Sequence, residues 1–325
     1  MNERLITPTK ITAWLDCPHY LTLRGEVDAG ERDEPDRTFG SFAKLLQRKG
    51  ELHEDECLSE YEKTKKVHPV PGKGKQESFA AWVKRVGNPL ADGYDVIYQM
   101  PFVHNGIRGV ADFLERVELP GGGFGYGPVD AKLTRVAAKP GHVLQLCFYA
   151  DAINHLTGHD PAHMHILLGS GSRQSLRVNE FRPYWRRLRG QLAVAVDAGP
   201  EASTTPEKCA HCEFCEFFAI CDKQWRDDDS LLFIPGIRPA ERRALDLAKV
   251  VKLAELGELS SDVAGVRPQR LKWLVKQAAL QVEARLAGGD QLPHELIEVG
   301  DDARLGHGFE LMPQPDDGDV FLDFE

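Results

Sequence analysis

"YDVIYQMPFVHNGIRGVADFLERVEL", residues 94–119, alternates apolar and polar side chains on either side of the turn "HNG", residues 104–106. Alternation with a period of two is the pattern of a strand with one buried face, and Asn-Gly supplies the positive φ angles of a tight hairpin. The stretch predicts two antiparallel strands. Downstream, "GFGYGPVDAKLTRV" (123–136) reads as a strand after a glycine-rich turn and "HVLQLCFYADAINHL" (142–156) as an amphipathic helix. "HMHILLGSG" (163–171) reads as a buried strand, and "RPYWRRLRGQLAVAVDAG" (182–199) as a helix ended by Gly199. Upstream, "RTFGSFAKLLQRKGELHEDECLSEYEK" (37–63) has helical periodicity with an interruption expected at Gly50. Helices, a strand hairpin, a strand, a helix, a strand and a helix, in that order, suit an α/β fold with helices packed on a mixed sheet.

The 325 residues, 42% hydrophobic and 28% charged, are enough for a full core and more than one domain. The opening "MNERLITPTKITAWLDCPHY" has no apolar run long enough for a secretory signal, and no window reaches the ~18 apolar residues of a membrane span. A reducing, cytoplasmic location follows as the expectation. Disulfides rarely persist there. The stretch "CAHCEFCEFFAIC", which places four of the seven cysteines between Cys209 and Cys221, therefore points to metal ligation.

The net charge of −10 is not spread evenly. Residues 288–325 hold eleven acids and one base, so the rest of the chain, with 39 of each sign, is neutral. Within it, "KTKKVHPVPGKGK" (63–75) and "RPYWRRLRG" (182–190) concentrate positive charge, the second interleaved with Tyr184 and Trp185. Basic stripes with aromatic residues can track a phosphate backbone and stack bases.

Asp130 and Lys132 in "VDAKL" are two apart, so their side chains leave the strand on one face. Asp112 in "GVADFLE" lies on the neighbouring strand of the hairpin. Two carboxylates there can share a divalent metal that lowers the pKa of an attacking water, while a lysine orients that water and adds positive charge. Phosphodiester hydrolysis needs this chemistry.

In this order, "KGELHED", "GVADFLE", "VDAKL" and "LQLCFYA" resemble the motifs of the RecB-like branch of the PD-(D/E)XK nucleases, over roughly residues 10–230. The resemblance implies a restriction-endonuclease-like fold and Mg2+ or Mn2+ bound by His53, Asp112 and Asp130, with Lys132 as the catalytic lysine. The family places that histidine after a helix. Its Q-x-x-x-Y motif is matched by Gln145 and Tyr149, which share a helix face and can contact DNA or brace the site. The small CRISPR-associated and AddB-type members carry one cysteine before the nuclease core and a C-x2-C-x5-C set after it. Cys17, Cys212, Cys215 and Cys221 resemble that set, which implies a [4Fe-4S] cluster closing the ends of the domain. The extra Cys209 departs from the pattern, and with Cys212, Cys215 and Cys221 it can instead form a local four-thiolate zinc site. Cys57 and Cys147 belong to neither set.

Beyond the last cysteine, "FIPGIRPAERRALDLAKV" and "DVAGVRPQRLKWLVKQAA" repeat a G-(I/V)-R-P turn before a helix. They resemble helix-hairpin-helix elements, which offer backbone N–H groups to a DNA phosphate, here with Arg238 and Arg267 nearby. The terminal "FLDFE" resembles the first D-x-E motif of RNase H-like exonucleases, with Asp323 and Glu325 as metal ligands of a domain further along a longer, helicase-bearing protein.

The expected organisation is a nuclease domain over 1–230, a small all-helical region over 231–287 and an acidic linker over 288–325. The expected function is metal-dependent cleavage of single-stranded or end-containing DNA in DNA repair, with DNA as partner and no membrane association. The alternative is an inactive, zinc-containing nucleic-acid-binding module.

Overall fold

The computed structural model describes residues 6–35, 41–288, 292–296 and 312–320. The "FLDFE" stretch lies outside them. The chain divides into two compact units, Met1–Lys223 and Gln224–Glu325.

The first unit is built on a six-stranded mixed sheet in the order β1 to β6. After helices α1 (Pro8–Asp16), α2 (His19–Ala29) and α3 (Ser41–Glu62) comes β1 (Val67–Pro69), then α4 (Phe79–Val86) and the hairpin of β2 (Val96–His104) and β3 (Ile107–Glu118). Asn105 and Gly106 turn it with φ of +50° and +72°, as the Asn-Gly pair requires. β4 (Phe124–Lys132), α5 (Pro140–Thr157), β5 (His163–Leu168), β6 (Arg173–Arg177) and α6 (Val178–Ala198) follow, and α7 (Phe218–Asp227) runs across the boundary between the units. β1–β2 and β4–β5 pair in parallel, the other neighbours antiparallel.

Helices cover both faces. On one, Cys57, Leu58 and Tyr61 of α3 pack against Val96, Phe113 and Val129. On the other, α5 buries Leu146, Phe148, Tyr149 and Ile153. Gly109 of β3 lies directly beneath it: a Cβ there would stand 2.9 Å from the Phe148 ring and 3.0 Å from that of Tyr149.

The expected interruption at Gly50 does not occur, since α3 runs unbroken from Ser41 to Glu62. One glycine costs about 1 kcal/mol in a helix, too little to break a 22-residue helix seated on a sheet. β5 is half-buried rather than buried, with Met164, Ile166 and Leu168 inward. β1, at three residues, and β6, "RQSLR", were not legible, being short or polar at the two edges of the sheet. α6 begins at Val178, before the expected start, and runs through Pro183 to its cap at Gly199.

In the second unit α8 (Pro239–Leu247), α9 (Leu253–Gly257) and α10 (Pro268–Ala287) pack around Ile234, Leu245, Leu256, Leu274 and Ala278. Each G-(I/V)-R-P turn ends as read: Gly236 and Gly265 take φ of +63° and +88°, and the prolines start α8 and α10. Arg270 ties the two together, donating to the Gly236 carbonyl at 2.6 Å and to Glu241 at 3.0 Å. Among the described residues no helix is long and apolar enough to cross a membrane.

Candidate active site and thiol cluster

The register of the sheet builds the first cluster. The β3–β4 ladder ends with Phe113 opposite Val129, so the next position brings Asp112 beside Asp130. The β2–β3 ladder pairs Tyr98 with Phe113 and Met100 with Ala111 and skips the pair between, Gln99 and Asp112. With both ladders broken there, the Asp112 carboxylate accepts the Ala131 backbone N–H at 2.9 Å.

Asp130 is 0% exposed. The Lys132 ammonium lies 2.7 Å from its Oδ2, yet neither Asp130 oxygen accepts a hydrogen bond of proper geometry. Burial, and then the neighbouring Asp130, raise the Asp112 carboxyl well above the usual carboxylate range. Burial works against the charge of Lys132, but Asp130 and Asp112 outweigh it and hold the ammonium above its ordinary value. Asp130, buried with no hydrogen bond of proper geometry, and the neighbouring Asp112 form an anionic pocket that a divalent cation suits. Among the described residues, however, no group of three or more His, Cys, Asp or Glu side chains is arranged to hold a metal ion.

The α3 residue facing this pair is Glu54. Burial and then Asp112 push its carboxyl up, while hydrogen bonds from Tyr98 and Gln99 and the charge of Lys132 pull it down. Sequence reading missed it because four acids, Glu51, Glu54, Asp55 and Glu56, stand within six residues and only the docking of the helix selects one. His53 sits inside α3 and not after it. Its Nε2 lies 3.1 Å from the Leu167 carbonyl oxygen and 3.9 Å from Cys57 Sγ, beside a cavity of about 580 Å³ lined also by Tyr61, Gly169 and Arg173. No described contact joins it to Asp112 or Asp130.

Gln145 and Tyr149 do share one face of α5. Gln145 donates to the Tyr149 hydroxyl at 3.2 Å, and that hydroxyl donates to the Val110 carbonyl. Tyr149 is buried, so it braces β3 two residues from Asp112 and is not open to DNA. One turn earlier on α5, His142 Nδ1 accepts the Lys139 N–H at 3.2 Å, which places the ring proton on Nε2. Burial and then Lys132 and Lys139 press its pKa down to about 4, so it is a neutral donor near the lysine. A histidine three residues before Gln145 was the available signal.

The basic stripe on α6 is divided. Trp185 is 1% exposed and donates from Nε1 to Asp151 at 2.6 Å, so it cannot stack on a base. Arg182 is paired with Asp160, and Arg189 with Asp151. Tyr184, Arg186 and Arg187 remain exposed.

The second cluster joins the two ends of the first unit. All seven cysteines are free thiols. Cys17 caps α1, and Cys209 and Cys212 stand 3.9 Å apart, Sγ to Sγ. Burial raises Cys215 to about 11, with Glu216, Cys212 and Cys17 adding to it. Cys221 rises to about 12 by burial and the proximity of Cys215, Cys17 and Cys212. Burial also raises Cys17, with Cys209 contributing. Five thiols therefore lie within electrostatic reach of one another, although among the described residues no three of them are arranged to hold a metal ion. A polar bolt crosses the same junction: Arg24 of α2 donates to Glu216 at 2.6 Å and Glu34 at 2.8 Å, and the Tyr20 hydroxyl donates to Glu216 at 2.9 Å.

The sequence profile of the PD-(D/E)XK nuclease superfamily matches residues 6–222 of the chain. No curated protein matches it.

Proposed function

The chain belongs to the PD-(D/E)XK nuclease superfamily, and on that premise we propose that it is a RecB-like, Mg2+- or Mn2+-dependent nuclease that cleaves single-stranded or end-containing DNA. The observation that carries this reading is the fully buried Asp130 carboxylate, which accepts no hydrogen bond of proper geometry and pairs with the Lys132 ammonium, beside a second carboxylate, Asp112. Asp112 and Asp130 would hold the cation. Glu54 would join them from α3, and so would His53 once its ring turns from the Leu167 carbonyl. A cation bound there supplies a Lewis acid and a water of lowered pKa. Lys132 supplies a fixed positive charge at the edge of the pocket, where its ammonium can orient the attacking water and a phosphoryl oxygen. Gln145 and Tyr149 keep β3 in place. The neutral Nε2–H of His142 can donate to a phosphate oxygen without competing for the cation.

Cleavage of end-labelled single- and double-stranded DNA with Mg2+ and with Mn2+ tests the reading. Metal-dependent products that disappear in Asp130→Asn support it, and equal cleavage by that variant sinks it.

For the thiols we propose a [4Fe-4S] cluster on Cys17, Cys212, Cys215 and Cys221. The closeness of Cys17 to Cys215 and Cys221 supports it. The Cys209–Cys212 contact favours the rival zinc site, in a chain that then serves as a nucleic-acid-binding module. Iron and zinc content of anaerobically purified protein separates the two. A cysteine-ligated site fits a protein of the reducing cytoplasm. In the second unit, the repeated turns before α8 and α10 support helix-hairpin-helix contacts to DNA phosphates through backbone N–H groups, Arg238 and Arg267. Helicase and exonuclease domains on a longer chain would fit a role in DNA repair.

A further inference from the structure

Gln99 lies in β2 with φ of +60°, a left-handed conformation that a residue with a long side chain adopts only at a cost. The distortion falls opposite Asp112, at the one pair that the β2–β3 ladder skips between Val96 and His104. Consecutive strand residues send their side chains to opposite faces. Tyr98 packs on the α3 face of the sheet, with Cys57, Leu58 and Tyr61, so a regular strand would turn Gln99 away from α3. Instead Tyr98 and Gln99 both hydrogen-bond the Glu54 carboxylate, Gln99 through Nε2 to Oε1. Glu54 in turn feels Asp112 and Lys132 with opposite signs.

We propose that Gln99 is a positioning residue for the metal-dependent reaction: its left-handed backbone frees Asp112 from the ladder, and its amide fixes Glu54 toward the Asp112–Asp130 pair. The inference rests on reading that pair as a cation site. One distortion then serves two carboxylates. The amide suits the task because it is neutral: it orients the carboxylate through a hydrogen bond and leaves its charge to the cation. A lysine or arginine at this place would pair with Glu54 and compete with the metal.

Gln99→Gly separates the two roles, since glycine populates φ of +60° without strain but carries no amide. On the full chain it should melt at or above the temperature of the native protein. It should bind Mn2+ about tenfold or more weakly by calorimetry, the scale of losing a group that orients a ligand, and its cleavage should need correspondingly more Mn2+. Gln99→Asn, which tolerates the left-handed conformation but falls one methylene short, should show the same metal defect. The double variant Gln99→Gly with Glu54→Gln should lose no more Mn2+ affinity than Glu54→Gln alone, because the two act as one unit. Native Mn2+ affinity in Gln99→Gly, additive losses in the double variant, or a much lower melting temperature would each overturn the proposal, the last by making Gln99 a purely structural residue. Asp130→Asn separates this failure from that of the site itself. If Asp130→Asn loses Mn2+ binding and cleavage while Gln99→Gly keeps both, the positioning role alone falls. If Asp130→Asn keeps both, the cation site falls with it.

Discussion

The first unit concentrates unbalanced side chains in two places, and they are assembled in opposite ways. The carboxylates Asp112 and Asp130 come from neighbouring strands whose ladder ends one position away, so hydrogen-bonded backbone fixes their spacing before any ion arrives. The thiols come from Cys17 near one end of the chain and from the segment Cys209–Cys221 far along it, so no local element fixes Cys17 against the others. Arg24, Tyr20 and Glu216 close that junction instead. One cluster is preorganised by its scaffold, and the other depends on a polar bolt and on whatever the thiols bind. Preorganisation of this kind suits a catalytic site, whereas closure of distant chain segments contributes stability.

The sharpest way to break the comparison is Asp130→Asn. If the strand pair is the chemical centre, cleavage should fall by at least about 10³-fold while the fold persists, because the asparagine keeps the shape and removes a buried charge. Kinetics on end-labelled DNA, with a melting curve of the same sample, decide it. Loss of folding together with activity would make the aspartate pair structural and erase the contrast with the thiol junction.

Arg24→Ala strikes the bolt. The Arg24 side chain is 6% exposed and that of Glu216 14%, and removing one partner of a buried pair costs about 3–5 kcal/mol. Urea unfolding should show the loss. The bolt also predicts a pH dependence. Burial alone would raise the Glu216 carboxyl, but a backbone N–H, Arg24 and Tyr20 hold it below its ordinary 4.5. A depressed folded-state pKa gives stability that is complete above the unfolded value and drains away as pH falls through the folded one. Stability should therefore decline below about pH 4.5, and Glu216→Gln should be less stable at neutral pH and flatter across that window. An unchanged acid limb in Glu216→Gln would mean that the bolt is not what holds the ends.

Cys17→Ala asks whether the thiols close the same junction. For a cluster shared with Cys212, Cys215 and Cys221, iron should be lost and the free energy of unfolding should drop as far as in Cys215→Ala, by a few kcal/mol of loop-closure stabilisation. Full metal content in Cys17→Ala would assign the site to zinc on the local cysteines and leave the closure to the bolt and the protein contacts beside it, such as His19 and Thr22 with Thr204.

The two clusters also differ in how far they can be read from the amino acids. The hairpin, Asp112 and the Asp130–Lys132 pair follow from a period of two, and the Gln145–Tyr149 pair from a helical repeat, because those relations are local. Glu54 and Gln99 were not legible: choosing one acid among four needs the docking of α3, and a left-handed glutamine contradicts every strand preference around it. Trp185 shows the reverse case, a residue placed on a basic stripe by sequence and turned inward by Asp151. Cys209–Cys221 announced a thiol site through spacing, but which four thiols belong together depends on three-dimensional closure that spacing does not encode.

The smallest expected effect lies in the second unit, which extends the contrast between preorganised and dependent sites to DNA itself. Arg238 and Arg267 are exposed at the starts of α8 and α10, each following a glycine with positive φ. The turns are held by Glu241, which accepts the Arg238 backbone N–H at 2.9 Å and pairs with Arg270, so replacing either exposed arginine should leave the helices intact. If these turns meet phosphates, Arg267→Ala and Arg238→Ala should each weaken DNA binding and reduce the slope of log affinity against log salt by about 1. The cleavage products should stay the same, since Asp112, Asp130 and Lys132 all lie in the first unit. Fluorescence anisotropy across a salt series, paired with product mapping, measures both. An unchanged salt slope would make the repeated turns a helical spacer, and altered products would mean that this unit shapes the reaction as well as the affinity.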